Sequence, residues 1–183
     1  QLKEKTTEEI ILTLMSDSGF MLMVDSENLI MLFIGLEIGS ISLYALAGLN
    51  RVDKLSNEAS LKYFLLGSLA SCILIYGVSL VYVSFSVFSV YNFALGIAYV
   101  GPDSVPLTTS IGVLLIFIGL LFKIAAAPFQ SWAPDVYQGS PTGYVGFMSS
   151  IAKVSSFIVI ARLCLVSINF IIEDFNIFFL IVI

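Results

Sequence analysis

Histidine is absent from this chain of 183 residues, and only 11% of the residues are charged. The absence of imidazole excludes the commonest metal ligand and the usual proton carrier near neutral pH. Average soluble domains carry about 25% charged residues, so this composition is not that of a soluble fold. The lysines and arginines form no basic patch, and we expect no nucleic-acid partner.

Cysteine is also scarce. Cys72 and Cys164 both lie inside apolar runs, where the simplest interpretation is that they pack as small apolar side chains. Their pairing in a disulfide cannot be read from the sequence. What the chain has in abundance is apolar surface, since 58% of its residues are hydrophobic. This composition predicts an all-α bundle of membrane-spanning helices whose outer face contacts lipid.

Four apolar stretches are long enough to cross a bilayer, for which a helix needs about 20 residues. They cover residues 29–49, 61–85, 107–127 and 144–168. Two shorter apolar pieces, residues 10–24 and 170–183, are each compatible with a partial span or an interfacial helix. We therefore predict a polytopic bundle of four to six transmembrane helices in a single membrane domain, residues 1–183. Pro128 should break the third span, because proline lacks an N–H group.

The positive charges indicate an orientation. Arg51 and Lys54 follow the first long span, whereas residues 86–105, an aromatic segment that we expect at the membrane surface, contain no lysine or arginine. The positive-inside rule places residues 50–58 on the cytoplasmic or matrix side. Counting the spans places residues 129–143 on that same side.

Three ionisable residues, Glu37, Lys123 and Lys153, lie well inside the predicted spans. A central charge costs roughly 2.5–3.5 kcal/mol on insertion scales, and such residues usually face the interior of a bundle. They can form structural ion pairs, and a lysine can extend to the interface, which suits Lys62 near the start of its span. The sharper hypothesis is a proton or ion pathway, because an acid and a lysine that separate can exchange a proton.

The residues around Pro128 suggest how such a site opens. Lys123 is followed within its helix by three alanines, and a helix broken at membrane depth is tolerated where it lines a cavity or is buried in protein. The alternative is a plain proline kink with a packing role. Serines near the charges offer sites for water, although serine more often bonds back to its own helix. These serines are Ser40, Ser42, Ser149, Ser150, Ser155 and Ser156.

The run FKIAAAPFQSWAPDVYQGSPT, residues 122–142, resembles a signature of the subunit 2 family of NADH dehydrogenase, in the membrane arm of respiratory complex I. Three further segments resemble parts of that family and occur in the same order. They are GLE at residues 35–37, EASLKYFLLGS at 58–68 and AKV at 152–154. The resemblance extends from about Asn28 to Arg162.

This resemblance implies an antiporter-like fold in which each proton half-channel centres on a lysine of a broken helix. It implies that Lys123 is that lysine, Glu37 its acidic partner and Lys153 a relay on the next helix, and that Lys62 belongs to the same hydrophilic axis. The chain would then be a subunit of proton-translocating NADH:ubiquinone reductase. Redox chemistry would take place in other subunits, so we expect no redox site and no cofactor in this chain.

The expected partners are other membrane-arm subunits of complex I and membrane lipids. The chain departs from the family in three respects. Gln130 stands where the family has histidine, Thr142-Gly143-Tyr144 replaces the more usual Thr-Pro-Val, and the chain is far shorter than a full subunit. We therefore expect a shortened or split version whose missing helices come from another chain. The alternatives are a structural remnant that supports assembly without pumping, and a subunit of a related cation/proton antiporter.

The expected location is the mitochondrial inner membrane, because the phenylalanine-rich chain shows no targeting sequence and suits synthesis within an organelle. The alternative location is a bacterial plasma membrane.

Overall fold

The computed structural model describes residues 2–101 and 104–167, and this part of the chain is helical apart from its connections. The α-helices, named α1 to α7 in chain order, are Leu2–Asp25, Leu29–Ala47, Lys54–Phe85, Val90–Val100, Leu107–Ile124, Trp132–Gly139 and Thr142–Ser167. A short 3-10 helix, Phe129–Ser131, lies between α5 and α6. The apolar piece predicted at residues 170–183 lies outside the described residues.

Four stretches of the described chain are long and apolar enough to cross a membrane, which confirms the predicted polytopic bundle. They are Leu29–Ala47, Lys54–Phe85, Leu107–Gly139 and Thr142–Leu165. The helix of the second span, α3, begins at Lys54, earlier than the span start predicted at Leu61. The reason is a cap, because the Asp53 carboxylate accepts a hydrogen bond of 3.0 Å from the Leu55 N–H and starts the helix before its apolar part.

Helix α1 contains the apolar piece at residues 10–24 and packs against α2, to which a short turn connects it. The two backbones approach closely at glycines. A Cβ on Gly19 would lie 2.4 Å from the nitrogen of Gly39, and one on Gly35 would lie 2.8 Å from the oxygen of Gly19. Ser16 Oγ donates to the Gly39 carbonyl at 3.3 Å. Residues 10–24 therefore lie beside the span α2, at the same membrane depth.

The third span is broken, as the proline predicts. Helix α5 ends at Ile124, Ala125 adopts a left-handed backbone with φ 56°, and Pro128 leads into the 3-10 helix. The Ala126 N–H donates to the Leu121 carbonyl at 3.0 Å, which satisfies a carbonyl that the end of a helix leaves free. The chain resumes as α6, so the break confirms the predicted interruption.

The segment at residues 86–105, which we expected at the membrane surface, contains the helix α4. Three of its side chains, Val90, Phe93 and Ile97, are buried, and the helix packs against α7. The chain before α4 is tied to the start of α2, because the Leu29 N–H donates to the Phe88 carbonyl at 2.8 Å. Residues 86–101 thus pack into one end of the bundle.

The opposite end of the bundle brings the starts of α3 and α6 together. Lys62 Nζ lies 2.7 Å from Asp135 Oδ2. The loop before α3 and the connection around α6 therefore lie at the same end, as the count of spans predicts. An ion pair of 3.7 Å between Arg51 and Glu8 brings the start of α1 to this end as well.

Candidate functional site

Lys123 lies in the last turn of α5, directly before the break, and is only 9% exposed. Its ammonium donates hydrogen bonds to Ser40 Oγ at 3.2 Å and to Tyr44 Oη at 2.9 Å, both on α2. The partial negative charge at the carbonyl end of a helix stabilises a cation there. Two hydroxyl groups and the end of α5 thus compensate a charge that burial would otherwise make costly.

Tyr44 reaches Lys123 through a gap that a glycine leaves in α3. A Cβ on Gly67 would lie 2.2 Å from Tyr44 Oη, so no larger residue leaves room for the hydroxyl in this position. The ring of Tyr44 packs edge-on against Tyr63, with centroids 4.7 Å apart. The backbone of Tyr44 is also held, because Ser60 Oγ donates to its carbonyl at 2.8 Å. The hydroxyl that meets Lys123 is therefore fixed by packing from α3.

Glu37 lies on the same face of α2 as Ser40 and Tyr44, since spacings of three and four residues bring side chains together on a helix. The side chain is half-buried, and Ser71 Oγ of α3 donates to its carboxylate. Within the described chain Glu37 and Lys123 form no ion pair. The predicted acidic partner is therefore beside the lysine site, one turn from Ser40, and contacts a serine instead.

Lys153 of α7 is half-buried, and its ammonium lies 5.5 Å from the centroid of the Tyr137 ring. A series of aromatic contacts leads from this ring back towards Lys123. The centroid distances along the series are 6.1 Å for Tyr137–Trp132, 5.0 Å for Trp132–Tyr63 and 4.7 Å for Tyr63–Tyr44. No hydrogen bond joins the two lysines in the part of the chain that is described. A proton moving between them would need water or a side-chain movement.

Lys62, also predicted as a site residue, lies at the end of the bundle with a side chain that is 41% exposed. Its ammonium contacts two carboxylates, Glu58 at 2.8 Å and Asp135 at 2.7 Å. These residues line an open cavity of about 110 Å³ between α3 and α6. The structure thus brings Glu37 and Lys123 to one site and places Lys62 apart from it.

Most of the serines that were considered as water sites bond back to their own helix. Ser42 donates to the Ile38 carbonyl at 2.9 Å, and Ser156 to the Ala152 carbonyl at 2.8 Å. The same holds for Ser149, Ser150 and Ser155. Ser40 is the exception in this set, because its hydroxyl accepts from Lys123.

Sequence reasoning missed Tyr44 and Ser71. The spacing from Glu37 through Ser40 to Tyr44 is a signal of one shared helix face and would have identified the tyrosine. Ser71 lies on another helix, so no spacing in the sequence predicts its contact with Glu37. Across residues 2–101 and 104–167, no group of three or more cysteine, aspartate or glutamate side chains is arranged to hold a metal ion.

Residues 26–183 match the family described as NADH:quinone oxidoreductase/Mrp antiporter, transmembrane. The NADH-quinone oxidoreductase subunit N of Magnetococcus marinus is 45% identical over 156 residues, which cover 85% of this chain and 32% of the relative. Subunit N 1 of Chloroherpeton thalassium is 47% identical over 149 residues, covering 81% of this chain and 31% of the relative. The chain therefore spans about a third of the length of these relatives.

Two solved structures share the fold. A chain of respiratory complex I from Thermus thermophilus with bound aureothin superposes with a TM-score of 0.74 at 35% identity, covering 85% of this chain and 34% of that one. A chain of the membrane-bound sulfane sulfur reductase, an archaeal respiratory membrane complex, gives a TM-score of 0.73 at 28% identity, covering 81% and 30%. The sequence match and the shared fold agree, and this chain belongs to the NADH:quinone oxidoreductase/Mrp antiporter transmembrane family.

Proposed function

We propose that this chain is part of an antiporter-like membrane-arm subunit of a proton-pumping NADH:quinone oxidoreductase. Its relatives named subunit N support this assignment, and subunit N is the counterpart of the subunit 2 that the motifs resemble. Residues 1–183 form one membrane domain in this proposal. NADH oxidation and quinone reduction take place in other subunits, and this chain contributes to proton movement.

The observation that carries the proposal is the position of Lys123. A lysine that is 9% exposed, at the end of a helix broken at membrane depth, contacts hydroxyl groups rather than a carboxylate. An ammonium held by an ion pair keeps its proton, whereas one held by hydroxyls is freer to release it. Ser40 and Tyr44 can each donate or accept by rotating the hydroxyl hydrogen, so they suit both protonation states of the lysine.

The proposal also assigns roles to the other three predicted site residues, which are Glu37, Lys153 and Lys62. Glu37 supplies a negative charge on the same helix face, and Ser71 orients its carboxylate. Lys153 is the next proton carrier. A proton from Lys123 reaches it past the aromatic contacts, either through water or when the rings move. Lys62 lies beside the open cavity at the end of the bundle, where water exchanges with the protein. Together the four residues form a lysine and glutamate half-channel.

The test is Lys123→Met in the assembled complex, because methionine keeps an unbranched apolar stem of nearly the same length but carries no titratable proton. We expect fewer protons translocated per NADH oxidised, with normal assembly. Lys54→Met is the matched control, since Lys54 is exposed at the start of α3. Unchanged proton translocation in an assembled Lys123→Met complex would contradict the proposal and support a structural role.

The proposed partners are other membrane-arm subunits, because the structural relatives are chains of multisubunit respiratory complexes. The sequence alone favoured the mitochondrial inner membrane. The subunit N relatives from Magnetococcus and Chloroherpeton are bacterial, which supports the other expected location, and we propose the plasma membrane of a bacterium. Immunoblotting of the separated membranes of the source cell for this chain tests the location.

A further inference from the structure

An open groove of about 520 Å³ runs between α1 and α7. Its walls are mainly apolar and expose large side chains, with Met21 72%, Val154 57% and Ile158 46% exposed. Two carboxylates, Asp17 and Asp25, also line the groove from α1. Lipid-facing walls of this kind are ordinary in a membrane bundle, but a carboxylate within them is not.

Asp17 lies at mid-membrane depth. The neighbouring Ser16 donates to the carbonyl of Gly39, which is in the middle of the span α2. An aspartate at this depth is unfavourable on insertion scales and is normally paired. Asp17 has no hydrogen bond or ion pair within residues 2–101 and 104–167.

The nearby basic residues of this chain contact groups other than Asp17. Lys153 lies over the Tyr137 ring and does not line the groove. Arg162 donates to the carbonyls of Val24, at 2.8 Å, and Ser26, where it caps the end of α1. Lys123 donates hydrogen bonds to Ser40 and Tyr44 on α2.

The remaining basic residues are also unsuitable. Arg51, Lys54 and Lys62 belong to the opposite end of the bundle, and Lys3 and Lys5 stand at least twelve positions before Asp17 in the sequence. The sequence at residues 168–183 contains no lysine or arginine and adds two acids, Glu173 and Asp174. A cation for Asp17 must therefore come from outside residues 1–183.

We propose that the groove between α1 and α7 receives a transmembrane helix from outside residues 1–183, and that this helix carries a lysine or arginine at mid-span that pairs with Asp17. The apolar walls fit the apolar surface of such a helix. Charge complementarity selects this occupant over lipid, because an acyl chain would fill the walls and leave the carboxylate unpaired in hydrocarbon.

Photo-crosslinking in the native membrane tests the occupant. Met21→p-benzoylphenylalanine places the probe in the groove, and Met15→p-benzoylphenylalanine is the control, since Met15 lies on the same helix, is 48% exposed and does not line the groove. We expect the Met21 probe to be recovered on a peptide with a lysine or arginine inside an apolar run, and the Met15 probe on lipid or a different peptide. Recovery of the Met21 probe on lipid alone, on residues 168–183, or on an apolar peptide without a basic residue would overturn the proposal.

A charge exchange tests the pairing itself. Asp17→Lys should lower the yield of the Met21 crosslink at least about tenfold, the change that 1.4 kcal/mol produces, whereas Glu27→Lys at an exposed position should leave it unchanged. Changing the basic residue of the crosslinked peptide to aspartate should restore the yield in the Asp17→Lys chain. If Asp17→Lys does not assemble, the milder Asp17→Asn should still lower the yield. An unchanged yield in Asp17→Asn, or no restoration by the exchange, would show that the helix does not pair with Asp17.

Discussion

The hydroxyl of Tyr44 lies 2.9 Å from the ammonium of Lys123, across 79 positions of sequence. The contact joins α2 to the end of the first half of a broken span. It gives a buried lysine a neutral partner that can either accept or donate a hydrogen bond. Small substitutions can test the role of the hydroxyl separately from the role of the ring's position.

Tyr44→Phe keeps the ring and removes the hydroxyl, so Lys123 retains Ser40 as its one hydrogen-bond partner in the described chain. The loss should destabilise the charged lysine by about 1–3 kcal/mol. We expect lower proton translocation per NADH oxidised, with assembly intact. Tyr76→Phe is the control, because Tyr76 is 58% exposed. Equal translocation in the two variants would show that the hydroxyl is not needed.

Gly67→Ala should displace Tyr44 without changing any polar group. The added Cβ would lie 2.2 Å from Tyr44 Oη, and overpacking of this kind costs about 1–3 kcal/mol. We expect a lower thermal stability and proton translocation reduced in the same sense as in Tyr44→Phe. Gly146→Ala is a matched control, because its Cβ would meet no heavy atom within 4 Å. Wild-type behaviour of Gly67→Ala would mean that the tyrosine has room to move.

The ion pair of Lys62 with Asp135 should contribute little to stability, about 0–1 kcal/mol, because both side chains are largely exposed. Asp135→Asn should therefore leave the unfolding temperature almost unchanged. A proton role for Lys62 predicts that Lys62→Met lowers translocation whereas Asp135→Asn does so only weakly. If both substitutions lower translocation equally, the residues act as an ion pair that holds α6 on α3.

Ala125→Gly should stabilise the break. Ala125 has φ 56°, a conformation that costs an L-residue about 1 kcal/mol and glycine almost nothing. We expect a higher midpoint in thermal unfolding of the purified complex. Unfolding is monitored by the loss of this chain from the complex. Ala126→Gly lacks the strain to relieve and should lower the midpoint, because it only adds freedom to the unfolded chain. A lower midpoint in Ala125→Gly would contradict the assignment of strain.

The spans and the break follow from local properties of the sequence. Leu29–Ala47 and Thr142–Leu165 are recognisable because only long apolar helices span lipid, and a proline in the interior of an apolar run, such as Pro128, predicts an interruption. The early start of α3 was not predicted, because the span was delimited by its apolar residues. A change from polar to apolar residues does not mark where a helix begins. Asp53 does, through its cap.

The candidate site was predictable only in part. Lys123 and Glu37 stand out as charges in apolar runs, but their partners depend on which helices pack together. Asp135 lies 73 positions from Lys62, and Ser71 lies 34 positions from Glu37. Asp17 escaped notice because its helix is too rich in charge to read as a span, and only its packing on α2 shows its depth.

Both halves of the broken span pack against α3, and the first half also reaches α2 through the hydrogen bonds of the Lys123 ammonium. Residues 125–128 between them act as a joint. Sliding of α2 against α3 would act directly on the hydrogen bonds of Lys123, which lies two residues before this joint, so movement elsewhere in a larger assembly has a direct mechanical route to the lysine.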